Sequence, residues 1–219
     1  MIKANLEYYR YKHGLDEKLF RTLNKDKGIN YFFSTKYVGE CMKLINEFYF
    51  NSNNRTHKGW EDWYKNKIGF DKLLYVAHRC NIKLPNLSYE DLKRYTYFRV
   101  IGQTWNGFNR ELSIIAELKE YFKCEIRKTT FEKDHNYCID AELIDNGKIL
   151  LGIQIKPLSY QKMNTTYQLK AKENHKKKND EYAKKYAPYL YVYYENEIIA
   201  NKQETINKIN TILHLNINN

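Results

Sequence analysis

Hydrophobic and polar positions change their spacing near Gly102, and this change divides the chain into two regions. In the first region apolar residues recur at intervals of three or four, and Ser34 or Thr35 is placed to cap one such helix. The apolar positions of that helix are Val38, Cys41, Met42, Ile45 and Phe48. The sequence SYED, from Ser88 to Asp91, begins a further predicted helix that runs toward Val100. We therefore predict a helical region over residues 1–101.

The second region, residues 102–219, alternates between helical and strand patterns. In chain order it reads as a helix (RELSIIAELKEYF), three strands (CEIRKTTF, YCIDAELI and KILLGIQIKP), a long charged helix from Thr165, a strand (YLYVYYE) and a closing helix (KQETINKINTILHL). This order predicts a mixed α/β (α+β) fold with a central mixed sheet flanked by helices. The two regions are expected either as separate domains or as one compact unit.

Polar side chains interrupt the two central strands. With a period of two, Ile149, Leu151, Ile153 and Ile155 share one face of the later strand, and Gln154 and Lys156 lie opposite. In the earlier strand the alternation assigns Tyr137, Ile139, Ala141 and Leu143 to one face and Asp140 and Glu142 to the other. Buried polar groups of this kind are costly unless they are paired or bound to a ligand. These positions are therefore candidates for a functional site.

The turn between the two strands decides whether their polar faces coincide. A two-residue turn at Asn146-Gly147 would pair Asp140 with Ile153 and put Asp140 and Lys156 on opposite sides of the sheet. A three-residue turn that begins at Asp145 would pair Asp140 with Gly152, and a bulge would produce the same shift of faces. We predict the second register, because it brings the aliphatic residues of both strands together on one face.

Glu111 is predicted to lie on the apolar stripe of the helix that precedes the strands. The stripe comprises Glu111, Ile114, Ile115, Leu118 and Phe122. An inward carboxylate costs roughly several kcal/mol unless a positive charge answers it. Two explanations remain open: an ion pair, for example with Lys156, or a metal ion shared with Asp140.

Phosphodiester hydrolysis offers one reason to combine these residues. Mg²⁺ takes hard oxygen ligands, usually one or two carboxylates, and can activate a bound water. An ammonium such as that of Lys156 can orient the water and stabilise charge that develops on the phosphate. Glu142 is expected either as a further ligand or, more commonly for a strand glutamate, as an exposed side chain.

The sequence from Asp140 to Lys156 resembles the PD-(D/E)XK nuclease superfamily: an aspartate, thirteen intervening residues and then QIK, with Gln154 in place of the second acid. The resemblance implies an αβββαβ core, with Asp140, Glu111 and Gln154 as metal ligands and Lys156 as a further catalytic residue. The sequences QTWNGFNRE and GIQIKP also resemble MjaI-type restriction endonucleases. That resemblance implies a homodimeric Type II enzyme that cuts a short palindrome in double-stranded DNA with Mg²⁺.

The charge and composition of the chain are compatible with this function. The net charge is +11 and the isoelectric point is about 9.2, which favours a polyanionic partner, although an AT-rich genome would also enrich lysine. Four scattered cysteines without a CxxC pair and the lack of a hydrophobic N-terminal stretch favour a cytoplasmic protein. No apolar run reaches the length of a membrane span.

Residues proposed to contact DNA come from three segments. They are Arg55, Lys58, Trp105, Asn106 and Arg110 in the first half of the chain, Ser159, Tyr160 and Gln161 after the KP of the third strand, and Lys170, Lys172 and Lys176 on the charged helix. A solvated lysine-rich helix and a small helical core are the alternatives for these segments. The alternative functions are a junction resolvase or repair nuclease, and a nucleic-acid-binding protein without catalysis.

Overall fold

A computed structural model of the chain describes residues 41–69, 88–122 and 124–217. The chain divides into two compact units, Met1–Phe108 and Asn109–Asn219. The predicted caps Ser34 and Thr35, together with Val38, lie outside the described residues. No helix within the described ranges is long and apolar enough to cross a membrane.

The described part of the first unit contains helices joined by short loops and no strand. Its helices are α1 (Cys41–Asn51), α2 (His57–Tyr64), α3 (Tyr89–Tyr97) and the start of α4 (Thr104–Lys119), with π-helical turns at Lys65–Gly69 and Phe98–Gln103. Ser88 caps α3 as predicted, because its Oγ accepts a hydrogen bond from the Asp91 N–H at 3.1 Å. Aromatic rings fill the interior, and Trp60 and Tyr64 are fully buried.

The second unit contains the predicted mixed sheet with helices. After α4 come β1 (Glu125–Lys128), α5 (Phe131–Tyr137), β2 (Ala141–Asp145), β3 (Lys148–Pro157), α6 (Thr166–Lys185), β4 (Tyr189–Glu195), β5 (Ile198–Ile199) and α7 (Lys202–Ile217). The strands lie in the order β1-β2-β3-β4-β5, and only the β3–β4 pair is parallel. The α/β fold class is therefore confirmed.

Helix α5 ends at Tyr137, the first residue of the strand predicted from Tyr137, and that strand begins only at Ala141. Thr130 caps the beginning of the helix, and Cys138 ends it in the left-handed conformation with φ of 54°. Because the chain changes direction at Cys138, Ile139 packs with Tyr182 and Ala187, whereas Ala141 joins the opposite core. The prediction that Tyr137, Ile139 and Ala141 share one face was wrong.

The main core lies on one side of the sheet. Ala141 of β2 and the odd-numbered residues of β3 from Leu151 to Ile155 pack there with apolar residues of α4 and α7. These partners include Ile114, Leu118 and Ile209, each with no exposed surface. Leu151, Ile153 and Ile155 of the predicted aliphatic face therefore pack as one surface, which leaves Gln154 and Lys156 on the other side. The fourth residue predicted for that face, Ile149, packs instead against the cluster of Ile139, Tyr182 and Ala187.

The turn between β2 and β3 differs from the predicted three-residue loop. Asp145 pairs with Lys148 across a two-residue turn, in which Asn146 and Gly147 have φ of 47° and 79°. A bulge between Leu143 and Ile144 then shifts the register, so that Glu142 faces Gly152 and Ala141 faces Ile153. Asp140 thus lies beside Gln154, not opposite Gly152. The bulge keeps Ala141 and Leu143 on the same side as Leu151 and Ile153, which is the physical requirement behind the prediction.

Candidate active site

Asp140 lies immediately before β2 and is hydrogen-bonded to β3. Its N–H donates to the Ile153 carbonyl at 2.8 Å, and its carboxylate oxygen Oδ2 accepts from the Ile155 N–H at 2.6 Å. Its own carbonyl accepts from the Thr129 N–H at 3.1 Å. The side chain is 4% exposed. These bonds hold the carboxylate next to Gln154 and leave Oδ1 without a hydrogen bond among the described residues.

Gln154 is the most unusual polar residue of the sheet. It has no exposed surface, and neither its Oε1 nor its Nε2 has a hydrogen-bond partner in the described part of the chain. A buried amide left in this way costs about 1–3 kcal/mol for each unsatisfied polar atom. An oxygen-seeking cation would satisfy Oε1, so the donor set of Gln154 and Asp140 fits a hard divalent metal ion.

Lys156 follows Gln154 by two residues on β3 and is half-buried. Burial raises the pKa of the Glu111 and Asp134 carboxyls, and the positive charge of Lys156 opposes that effect in both. Its ammonium makes no hydrogen bond or ion pair with any residue that the structure describes. Lys156 is therefore a cation within the influence of two carboxylates and is not tied to either.

Glu111 forms an ion pair, which is the first of the two explanations considered for it. Its partner is Lys128 of β1, with 2.5 Å between Nζ and Oε2, and not Lys156. Burial raises the pKa of Glu111, and Lys128 lowers it only in part. Within the described ranges, no three His, Cys, Asp or Glu side chains are grouped so that they could hold a metal ion. Lys128 occupies Oε2 of Glu111, so Glu111 could act as a ligand through Oε1 or after losing this ion pair.

Asp134 of α5 belongs to the same electrostatic cluster, although sequence reasoning did not select it. Burial, followed by the charges of Asp140 and Glu111, raises its pKa from 3.8 to about 7. The missed signal was Thr130, which caps α5 and places Glu132 and Asp134 in its first turn. From the sequence, residues 132–136 were assigned to no element, and once they are recognised as part of a helix, Asp134 becomes a candidate site residue.

Glu142 is buried, and one of its two carboxylate oxygens is already occupied by hydrogen bonds. It is 1% exposed, and its Oε1 accepts hydrogen bonds from the Tyr182 hydroxyl at 2.7 Å and the Lys133 ammonium at 2.6 Å. Arg127 lies 3.9 Å from its Oε2. The expectation of an exposed strand glutamate was wrong, because α5 and α6 supply buried partners. Glu142 connects these helices to the sheet.

The DNA-contact candidates after β3 differ in their exposure and in their partners. Ser159, Gln161 and Lys170 are exposed. Tyr160 is buried against the rings of Tyr191 and His175. The remaining candidates, Lys172 and Lys176, are engaged, respectively, with the carbonyls of Gln161 and Met163 and with the carboxylate of Asp180. Ser159, Gln161 and Lys170 are therefore accessible to a ligand, and so is Lys176, whose side chain is 68% exposed.

The DNA-contact candidates in the first half of the chain also differ in their exposure and in their partners. In the first unit, Arg55 is exposed and lies over the Tyr49 ring, and Lys58 is paired with Asp62. Trp105 is 7% exposed and Asn106 is half-buried. In the second unit, Arg110 contacts the ring and the hydroxyl of Tyr194. Trp105 is therefore a core residue of its unit, whereas Arg55 presents its guanidinium at the surface.

Comparison with known proteins gives one result. The model of the MjaI restriction endonuclease family matches residues 21–209, which is most of the 219-residue chain and includes Glu111, Asp140, Gln154 and Lys156. No curated protein and no solved structure matches the chain. The resemblance noted in QTWNGFNRE and GIQIKP is thereby confirmed. The chain belongs to the MjaI restriction endonuclease family.

Proposed function

We propose that the chain is a Type II restriction endonuclease that hydrolyses phosphodiester bonds at a short specific sequence in double-stranded DNA with Mg²⁺. Family membership makes it a nuclease that acts on DNA. One observation carries the finer proposal: the Asp140 carboxylate lies beside the buried, unpartnered amide of Gln154, and Lys156 follows on the same strand. A structural role alone leaves the Gln154 amide unexplained.

The proposed metal ligands are Asp140 and Gln154, with Glu111 as a third. Asp140 supplies a charged oxygen and Gln154 a neutral one, which matches the small number of protein ligands that Mg²⁺ usually takes. When bound, the metal polarises a phosphoryl oxygen and lowers the pKa of its water. Glu111 joins the set if Lys128 turns toward the phosphate, since both side chains then keep an oppositely charged partner.

Lys156 is proposed to orient the attacking water and to stabilise charge on the phosphate. Its ammonium has three N–H donors, and none is used within the described part of the chain. The Asp140 backbone is fixed by β3, so the carboxylate does not need to reorganise when DNA binds. Burial of Gln154 and Asp140 keeps bulk water away from both side chains.

The exposed residues next to the site are proposed to contact the DNA backbone. Ser159 and Gln161 follow the end of β3 directly, and Lys170 lies in the second turn of α6. Such contacts provide affinity and salt dependence, whereas sequence preference needs contacts to base edges. Arg55, which is exposed in the first unit, is proposed as one such contact because guanidinium groups bind guanine. A homodimer is proposed, because a palindrome presents two equivalent strands to be cut.

The test uses purified protein and phage DNA, incubated with Mg²⁺ or with EDTA. We expect discrete fragments with Mg²⁺ only. The variants Asp140→Asn and Lys156→Ala should lose cleavage by at least about a hundredfold, as expected for groups acting in the transition state. Light scattering of the free protein and of its DNA complex tests the dimer.

Matched controls come from the same second unit. Asp145→Asn removes an exposed carboxylate at the other end of β2, and Lys177→Ala removes an exposed ammonium on α6. Both should cut like the unmodified protein. A smear of products or cutting of four-way junctions alone would favour a structure-specific nuclease. Tight DNA binding without cutting at any Mg²⁺ concentration would favour a binding protein and refute the proposal.

A further inference from the structure

The segment between α5 and β2 carries Asp140 and has an unusual backbone. Helix α5 is terminated by Cys138, a non-glycine residue whose backbone lies in the left-handed region, with φ of 54°. This conformation is normally taken by glycine, and other residues keep it only when their surroundings hold it. The Cys138 N–H donates to the Asp134 carbonyl at 2.7 Å, but the carbonyls of Tyr137 and Cys138 lie beyond the helix ladder and need other donors.

Asn179 of α6 supplies those donors. Its Nδ2 donates to the Tyr137 carbonyl at 2.9 Å and to the Cys138 carbonyl at 3.1 Å. Its Oδ1 accepts from the Tyr191 hydroxyl of β4 at 2.7 Å. The residue has no exposed surface. Both amide protons and the amide oxygen of Asn179 are therefore used, and the amide is held from a third element of the fold.

Asp140 is also held by Thr129, which follows the last residue of β1. The Thr129 hydroxyl donates to the Ile139 carbonyl, and the Thr129 N–H donates to the Asp140 carbonyl. The backbone between Tyr137 and Asp140 is thus fixed by Asn179 at its start and by Thr129 and β3 at its end. Of these partners, only Asn179 bonds to both carbonyls at the left-handed turn.

We propose that Asn179 is a positioning residue of the active site, which holds the turn at Cys138 and thereby sets the place of the Asp140 carboxylate beside Gln154. The proposal rests on the function proposed above. Without the amide, the two carbonyls lose their donors, Cys138 can leave the left-handed region, and the carboxylate moves relative to Gln154 and Lys156. A displacement of about 1 Å can lower a reaction rate about a hundredfold.

The test compares Asn179→Ala with Asn174→Ala, an exposed asparagine on the same helix. Three quantities are measured: the single-turnover rate of cleavage at saturating Mg²⁺, the Kd for DNA in Ca²⁺ without cleavage, and the Kd for Mn²⁺ from its electron paramagnetic resonance signal. For Asn179→Ala we expect a rate about 10- to 100-fold lower and Mn²⁺ binding about tenfold weaker, with an unchanged Kd for DNA. Asn174→Ala should match the unmodified protein in all three.

A second variant keeps the proposal testable if Asn179→Ala does not fold. Tyr191→Phe retains the half-buried ring and removes the hydroxyl, which bonds to Asn179 and also to Tyr160. We therefore expect losses in the same direction of about 3- to 10-fold. Unchanged Mn²⁺ binding and rate in the variants that fold would overturn the positioning role while the unmodified protein still cuts. If the unmodified protein does not cut DNA with Mg²⁺, the proposed function fails, and this proposal fails with it.

Discussion

The substitution Asp134→Asn removes one of three carboxylates that influence one another in the second unit. Burial, together with the charges of Asp140 and Glu111, raises the pKa of Asp134 from 3.8 to about 7. Asparagine has nearly the same shape and cannot be charged. The substitution therefore reports how strongly the folded protein resists the ionised form of Asp134.

The sign of the effect follows from the pKa in the two states. Because the pKa of Asp134 is higher in the folded protein, the folded state binds the proton more tightly than the unfolded state. The resulting stabilisation is fully present below the unfolded value of 3.8 and is lost as the pH rises through about 7. A tenfold change in an acid dissociation constant is worth about 1.4 kcal/mol, so the total change in the free energy of unfolding approaches about 4 kcal/mol.

The assay is urea unfolding in EDTA at pH 5 and pH 8. At pH 5 the unfolded state has already lost most of its Asp134 protons, so a smaller part of the effect has developed than at pH 8. The stability that Asp134→Asn gains over the unmodified protein should be greater at pH 8 than at pH 5 by about 3 kcal/mol. The control Asp145→Asn removes an exposed carboxylate from the same unit. An equal effect of Asp134→Asn at both pH values would refute the raised pKa of Asp134 in the folded protein.

Three further substitutions test the packing around the site. Gly152→Ala would bring a Cβ within 2.5 Å of a ring carbon of Tyr182, so we expect the free energy of unfolding in urea to fall by about 1–3 kcal/mol. If the same loss persists in a Tyr182→Leu background, this clash is not its cause. Gln154→Leu removes two unsatisfied polar atoms, so it should stabilise the metal-free protein by about 1 kcal/mol and yet abolish cleavage of phage DNA. A loss of stability would indicate that the amide has a structural partner. Lys128→Met leaves the Glu111 carboxylate without its ion-pair partner and should lower the free energy of unfolding by about 3–5 kcal/mol at pH 8, whereas the Lys128→Met/Glu111→Gln double variant should recover stability. Full stability of the single variant would show that the pair is dispensable.

Local signals in the sequence were sufficient for most elements of the second unit. The capping box of α6 is formed by Thr165 and Gln168, at the beginning predicted for the charged helix. Strand β4 begins at Tyr189, as the pattern YLYVYYE indicated. Such features depend on neighbouring residues in the chain, so one sequence contains all the information that they need.

Helix α5 shows where local patterns failed. The alternation of apolar residues from Tyr137 onward fits a strand, but Thr130 caps a helix that continues through Tyr137. The left-handed turn at Cys138 that separates this helix from β2 is supported by Asn179, which lies 41 residues away along the chain. No local pattern specifies such a partner, and both the faces of the segment and the place of Asp134 were therefore missed.

By itself the sequence determined the composition of the site: an acid before β2, an amide and a lysine on the polar face of β3, and a glutamate on the stripe of α4. It also carried the MjaI family resemblance. Only the tertiary structure decided the bulge that puts Asp140 beside Gln154, the choice of Lys128 as the partner of Glu111, and the burial of the Gln154 amide without a hydrogen bond. The physical reason is that periodicity reports which face a side chain occupies, whereas the identity of its partner depends on how separate strands and helices pack.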